Sequence, residues 1–309
     1  MSVPLHWNVI INPNALNYRK NNLWEIVKHG LTGKGYTFNE FLSPSQERCE
    51  VLISTLIDEG QTNYIVVGGD GTLNEVVNAF LKSKNASDNF VLALIPCGTG
   101  NDWARTHNIQ HNADALVNMF LEGKVISHDI GKVISRKNGQ QFERFFINIA
   151  GLAFDAEVIL RMNKSVKMLY GNKFVYLKNL FISLLYNKPI RCKFFLNDNT
   201  TFVKPVFSIA VGICKYNGGG MMQVPMANPH DGLLDMIIIE PMNLHEIIVQ
   251  LPKLYTGTHI GYKKIHYYKT SCVTIEPEHK MFAEVEGEIV GDGAFEIKSA
   301  AQKVKVLVP

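Results

Sequence analysis

This chain lacks the cysteine pattern of a disulfide protein. Its five cysteines, Cys49, Cys97, Cys192, Cys214 and Cys272, are odd in number, widely spread and contain no C-x-x-C pair. That excludes a disulfide framework and a cysteine-based zinc site, and it points to a reducing cytoplasm. Charge of one sign is also scarce: 31 basic against 28 acidic residues leave +3 over 309 residues, so no nucleic-acid partner is expected. The most apolar stretch, 174–186, is broken by Lys178 and Asn179 and is too short to span a bilayer. The N-terminal MSVPLHWNVIINPNA has no basic segment ahead of a long apolar run, so no export signal is expected. Internal repeats, low-complexity tracts and flexible linkers are missing as well. So are a G-x-x-x-x-G-K-[ST] loop and a G-x-S-x-G elbow, which removes the commonest nucleotide-loop and acyl-enzyme signatures.

What is present is an alternation. WNVII, YTFNEFL, NYIVV and FVLALI are short β-branched runs, separated by helical patterns over 22–30, 45–59, 73–83 and 113–122. This predicts a doubly wound α/β domain with a mostly parallel sheet over 1–130. From 131 to 309 strand-like runs dominate: GKVIS, FERFFINIA, IRCKFFL, KPVFSIAVGI, LLDMIIIE, SCVTIE, FAEVEGEIV and FEIK. They predict a mostly antiparallel, β-sandwich-like second domain with helices over 166–186 and 244–255, and the extreme C-terminus packing back on the first domain.

Between NYIVV and the helix beginning near Leu73 lies GGDGT, Gly68 to Thr72, a strand-to-helix turn. Thr72 with Glu75 reads as a capping box. A cap does not require three glycines, whereas a phosphate approaching bare backbone at a helix N-terminus does benefit from them. Asp70 would repel bare phosphate but suits Mg²⁺ carried on a nucleotide triphosphate, directly or through water, a duty that contributes little to packing. Asn74 stands where a G-x-G-x-x-G fingerprint needs glycine, so a dinucleotide turn is excluded. A second turn, PCGTGND with Gly98, Thr99, Gly100, Asn101 and Asp102, follows one βα unit later, and two such turns side by side make a cleft. Ordinary tight turns remain the alternative.

With GGDGTLNE and PCGTGND together, then FFINIAGLAFDAEV, NGGGMMQVPMANPHDGLLD and FAEVEGEI, the sequence resembles the diacylglycerol kinase catalytic-domain family of lipid kinases along essentially its whole length. NAD kinases and phosphofructokinases share GGDGT, but here Asn74 and Glu75 follow it directly. The resemblance implies an ATP- and Mg²⁺-dependent kinase with ATP held between two domains and a lipid hydroxyl, diacylglycerol-like or sphingoid-like, as acceptor. It implies nucleotide contacts at Asn12, Ser43, Gly69, Asp70, Gly71, Thr72, Leu73, Asn74, Glu75 and Thr99. The run after Pro13 lacks the family's usual small turn, and Ala153 stands where the family has glycine, which suggests a different strand bend. The competing readings are a kinase of the same architecture acting on a soluble hydroxyl compound, and a nucleotide- or lipid-binding protein without catalysis.

In the second domain the resemblance makes Glu286 the acceptor of the lipid hydroxyl's proton. Glu286-Gly287 also reads as a plain turn with Glu284, Glu286 and Glu288 alternating on an exposed face. The loop from Met226 to Leu233 resembles a structural metal loop with ligands from Asn228, Asp231 and Leu233, oxygens that suit Mg²⁺ or Ca²⁺; a proline-containing turn without metal is the alternative. Arg105 either reaches phosphate or closes its helix surface. Residues 161–193 carry eight basic residues and no acidic one, with Phe174, Leu177, Phe181, Leu184 and Leu185 at helical spacing. This predicts peripheral contact with an anionic membrane surface through 161–193, to be tested at Lys164, Lys167 and Lys173; the alternative is a helix packed on the sheet with its lysines solvated. A homodimer is left open.

Overall fold

The computed structural model describes residues 3–15, 22–43, 45–85, 89–137, 140–165 and 189–309. The chain divides into two compact units: one of residues 1–130, 216–220 and 300–309, the other of 131–215 and 221–299.

The first unit opens with β1 (His6–Ile11), α1 (Leu23–Thr32), β2 (Thr37–Leu42), α2 (Gln46–Asp58), β3 (Asn63–Gly68), α3 (Asp70–Lys82) and β4 (Val91–Pro96). A short α4 (Asp102–Thr106), then α5 (Ala113–Glu122) and β5 (Lys124–His128), follow. Val9, Ile10, Ile65, Val66, Val67 and Leu92 to Ile95 are fully buried. Such unbroken apolar strands belong to a parallel sheet covered on both faces. Helix α3 begins three residues earlier than its apolar repeat indicates, at Asp70, with Gly69 as its extended N-cap. An acidic residue in the first turn complements the helix dipole there.

The second unit contains β6 (Gly131–Lys137), β7 (Gln140–Phe146), β8 (Ile149–Ala153), α6 (Phe154–Ser165), β9 (Ile190–Leu196), β10 (Thr201–Val206), β11 (Ser208–Gly212) and β12 (Leu234–Ile239). Helix α7 (Leu244–Thr256) and strands β13 (Ile265–Thr270), β14 (Cys272–Pro277), β15 (Phe282–Val285), β16 (Glu288–Asp292) and β17 (Ala294–Ser299) complete it. Two antiparallel sheets result, ordered β10-β9-β14-β17-β6-β7 and β13-β12-β11-β8-β15-β16. FERFFINIA and KPVFSIAVGI, each read as one strand, are each split between the two sheets, at Ile147–Asn148 and at Phe207. The sheets meet where Ser135 Oγ donates to the Val290 carbonyl at 3.3 Å. Gly291 is obligatory at this contact: its φ is +138°, and a Cβ would sit 2.5 Å from Ser135 Oγ. The helix expected over 166–186, with Lys167, Lys173 and the apolar residues from Phe174 to Leu185, lies outside the described residues.

The last strand, β18 (Val304–Val308), belongs to the first unit, parallel to β4 and antiparallel to β5. The first sheet is thus ordered β2-β1-β3-β4-β18-β5. Strand order reverses between β1 and β3, which is where open α/β sheets bind ligands, beyond the carboxyl ends of the strands.

Candidate functional site

The carboxyl ends of β1 to β4 bring together the residues expected to meet a nucleotide. Asn12, just past β1, donates through Nδ2 to Thr72 Oγ1 at 2.8 Å, and its own N–H donates to the Val67 carbonyl. Ser43, just past β2, is buried and donates its N–H to the Ile11 carbonyl at 2.8 Å. Thr72 lies inside α3 and turns its hydroxyl to Asn12, so the capping box expected from Thr72 and Glu75 does not form: the helix has already started at Asp70. Leu73 is fully buried in the core, which leaves only its backbone for any ligand. Glu75 is partly exposed on α3 and Thr99 is exposed in the second turn.

The glycines have two distinct uses. A Cβ on Gly98 would lie 2.6 Å from Gly69 Cα, so these two residues are bare because the two turns touch backbone to backbone. Gly71 differs, since a Cβ there would meet nothing within 4 Å. Its lack of a side chain keeps open the space at the first turn of α3, where unpaired N–H groups favour an anion.

Asp70 ties the two turns together. Its Oδ2 accepts from the Asp102 N–H at 3.0 Å and its Oδ1 from the Trp103 N–H at 2.9 Å, which caps α4. The expectation that this carboxylate adds little to packing is therefore corrected, although each oxygen retains lone-pair capacity for a second partner. Asp102 repeats the device, accepting the Gly219 and Gly220 N–H groups at 2.7 Å each. Burial pushes the Asp102 carboxyl up from its ordinary range against those hydrogen bonds. Arg105 lies 3.8 Å from Asp102 and over the Tyr216 ring, closing this local surface. Asn74, on the buried side of α3, has neither amide atom hydrogen-bonded. An unpaired buried amide is costly, so this one marks a place where a polar partner is wanted. A magnesium–nucleotide, implied by the resemblance, fits this set of an open first turn, a carboxylate with spare lone pairs and an unsatisfied amide.

In the second unit Glu286 and Gly287 form a two-residue hairpin between β15 and β16, with Val285 paired to Glu288. Both turn residues have positive φ, 49° and 86°, as a type I′ turn requires. Glycine is at ease there, but glutamate is not, and such strain persists only where surroundings hold it. Here the Asn148 N–H donates to Glu286 Oε1 at 2.8 Å, fixing the carboxylate. Glu284 is buried rather than exposed, so the alternating acidic face does not exist. Its Oε2 accepts from the Gly287 N–H at 2.8 Å, and burial pushes its carboxyl up to about 8. Asp155, at the start of α6, accepts from Gln223 Nε2 at 2.7 Å and is pushed up to about 6, also by burial. Both carboxyls crowd Gly151, where a Cβ would lie 2.6 Å from Glu284 Oε1 and 3.2 Å from Asp155 Oδ2. The sequence points to no role for Asn148 or Gln223, and to Glu284 only as an exposed acid. Ala153, where glycine was expected, has a φ of 62° at the β8–α6 junction, a conformation in which a Cβ is disfavoured.

In the loop expected to hold a structural ion, Asp231 Oδ2 pairs with Lys269 Nζ at 2.6 Å and Oδ1 accepts the Leu233 N–H at 3.0 Å. Lys269 already supplies a positive charge, so an ion bound by Asn228, Asp231 and Leu233 would compete with the ammonium for one carboxylate.

Comparison with known proteins agrees with this layout. Residues 6–133 match the diacylglycerol kinase catalytic domain, and residues 149–308 match the YegS C-terminal NAD kinase beta sandwich-like domain. The chain is 30% identical over 251 residues to the diacylglycerol kinase of Bacillus subtilis, covering 79% of this chain and 77% of that one. It is 27% identical over 318 residues to YtlR of the same organism, covering 97% and 99% of the two chains. A crystal structure of a diacylglycerol kinase from Bacillus anthracis shares the fold, with a TM-score of 0.72 at 17% identity over 99% of this chain and 97% of that one. With residues 6–133 and 149–308 matched and a 30% identical relative covered over 77% of its length, this chain belongs to the diacylglycerol kinase family.

Proposed function

We propose that the protein transfers the γ-phosphoryl group of ATP to the hydroxyl of a membrane lipid, diacylglycerol-like or sphingoid-like. The observation that carries the nucleotide half is the pair of glycine turns fastened by Asp70 around an open helix N-terminus, with the unpaired Asn74 amide beneath. The lipid half is supported by the relatives named diacylglycerol kinase. Asn74 and Glu75 directly after GGDGT set the chain apart from kinases of soluble substrates that share the turn.

In this reading Asn12, Ser43, Gly69, Asp70, Gly71, Thr72, Asn74, Glu75, Thr99 and the backbone of Leu73 bind and orient the nucleotide. Mg²⁺ carried with ATP would spread the charge of the phosphate oxygens, with Asp70 its carboxylate partner directly or through water. Glu286, held by the Asn148 N–H, orients the lipid hydroxyl. The acceptor oxygen bonds to the γ-phosphorus, the bond from that phosphorus to the β–γ bridging oxygen breaks, and the hydroxyl proton passes late to Glu286. Asn228, Asp231 and Leu233 would hold a structural Mg²⁺ or Ca²⁺ only in exchange for Lys269. The protein would act in the cytoplasm, peripherally at an anionic membrane surface. No helix among the described residues is long and apolar enough to cross a membrane.

The test is labelled ATP with Mg²⁺ against diacylglycerol and sphingoid bases in mixed micelles, beside NAD and sugar phosphates. Label in a lipid product is expected. Label only in a soluble product, or in none, contradicts the proposal.

A further inference from the structure

Helix α7 is inside out. Leu244, Ile248, Leu251 and Tyr255 recur at a spacing of four, three and four, so they share one face. That face is open to solvent: these residues are 43, 60, 38 and 57% exposed, and neighbouring Val249 is 45% exposed. The helix's one buried residue is polar, Gln250, and its Oε1 has no hydrogen-bond partner. A surface helix of a water-soluble domain puts its apolar stripe inward. This one presents the stripe outward and keeps an amide within, the pattern of a helix whose apolar side meets something other than water.

Extent and charge identify the occupant. Leu244, Ile248, Val249, Leu251 and Tyr255 are five residues, where a stable protein–protein interface engages roughly 20–30 a side. Between 241 and 264 there is one acidic residue, Glu246, against Lys253, Lys263 and Lys264. Glu246 is spoken for by Lys264 Nζ at 2.8 Å, the Tyr262 hydroxyl at 2.6 Å and the Asn243 N–H. An apolar stripe with a basic surplus and a tyrosine at its end matches the boundary between anionic headgroups and acyl chains.

We propose that α7 lies flat in the interface of an anionic bilayer, inserting Leu244, Ile248, Leu251 and Tyr255, and so docks the second unit on the surface that supplies its acceptor. The acceptor clause rests on the lipid-kinase reading, but the docking does not. None of these residues belongs to the sets placed around Glu286 or in the glycine turns, so their loss should leave chemistry on a dispersed substrate unchanged.

The test is sedimentation with vesicles of phosphatidylcholine alone or with 30 mol% phosphatidylglycerol, about, on the scale of anionic inner leaflets. Wild type is compared with the triple variant Leu244→Gln, Ile248→Gln, Tyr255→Ser. Wild type should pellet with the anionic vesicles, and the variant at least about tenfold less. The variant's melting curve and its transfer to a detergent-dispersed short-chain acceptor should be unchanged. A second variant, Ile248→Trp, reads the face directly: native Trp7, Trp24 and Trp103 are all buried in the first unit, so a blue shift on adding anionic vesicles reports insertion at position 248. Equal pelleting of wild type and triple variant, no pelleting of wild type, or no shift at position 248 overturns the proposal. So does a lipid-free dimer that the triple variant abolishes, which would make the occupant a second copy. If no lipid is phosphorylated yet vesicle binding and its loss are as expected, the acceptor reading fails and the docking stands.

Discussion

The glycine turns of the first unit and the Glu286 hairpin of the second both hold carboxylates by backbone N–H groups, but they assemble them differently. The first gathers Gly69, Asp70, Gly71, Thr72, Asn74 and Glu75 from seven consecutive positions and meets the turn after β4 and Asn12 after β1. The second draws Asn148, Gly151, Asp155, Gln223, Glu284 and Glu286 from two sheet strands, a helix, two loops and a hairpin turn. In the first, Asp70 is met by two N–H groups at the start of α4 and is partly open to solvent. In the second, Glu284 is buried with a carboxyl pushed up to about 8. The contrast teaches that a contiguous turn can present charge, whereas a site built across a sheet can bury an acid in its neutral form.

Breaking the first region should have the larger effect. Asp70→Ala removes the acceptor of two N–H groups as well as the proposed metal partner. Transfer should be abolished, and stability should fall by about 2 kcal/mol, because α4 loses its charged cap. Hydrogen exchange should quicken at Asp102 and Trp103. A variant inactive but as stable as wild type, with unchanged exchange there, would confine Asp70 to the nucleotide.

The second region is probed by pH. Free glutamate titrates near about 4.3, while Glu284 in the folded chain titrates at about 8. Between those values the native chain keeps a proton that the unfolded chain has lost. Its contribution to stability is therefore complete below pH ~4 and disappears as pH rises through ~8. Glu284→Gln keeps a carbonyl oxygen for the Gly287 N–H and removes the titration. At pH 9 it should exceed wild type in stability by a few kcal/mol, of order 3, and the two should converge at acid pH. Parallel melting temperatures across that range would mean Glu284 is charged in the native state.

Smaller effects sharpen the picture of the second unit. Lys269→Met leaves Asp231 without its ammonium, so Tm should drop by about 3 °C in chelator and recover in millimolar Mg²⁺ or Ca²⁺, with wild type nearly indifferent. A wild-type Tm that falls on chelation would show that an ion, not Lys269, neutralises Asp231. Smaller still, Ala153→Gly should raise stability by about 0.5–1 kcal/mol, since the relief of a Cβ at φ 62° outweighs the added freedom of the unfolded chain. A destabilised variant would mean the buried methyl packs better than the strain costs.

Much of the first region was legible because its signals are local. β-branched runs at 63–68 and 91–96, the glycines after them and the apolar repeat of α3 sit within one βα unit each. What escaped was contact between units of sequence. Nothing marks Gly69 and Gly98 as touching, and nothing assigns Gly219 and Gly220 to the first unit, where they meet Asp102. In the second region the strands were legible and their sheets were not. A run such as FERFFINIA carries no mark at Ile147–Asn148 to show that the chain leaves one sheet for the other. Without that crossing Glu284 looks like one of three alternating surface acids. The family resemblance placed Glu286, but the Asn148 N–H that holds it follows only from sheet order.

The most direct test of this division of labour is the rate of labelled phosphoryl transfer by Glu286→Gln to diacylglycerol in mixed micelles at saturating ATP, with ATP affinity measured on the same sample. Glutamine can still take the Asn148 N–H through its amide oxygen, so the hairpin should stay folded. The account predicts turnover lower by about 1,000-fold with ATP affinity unchanged. Turnover within a factor of about three of wild type, or a loss appearing mainly as weakened ATP binding, would contradict it.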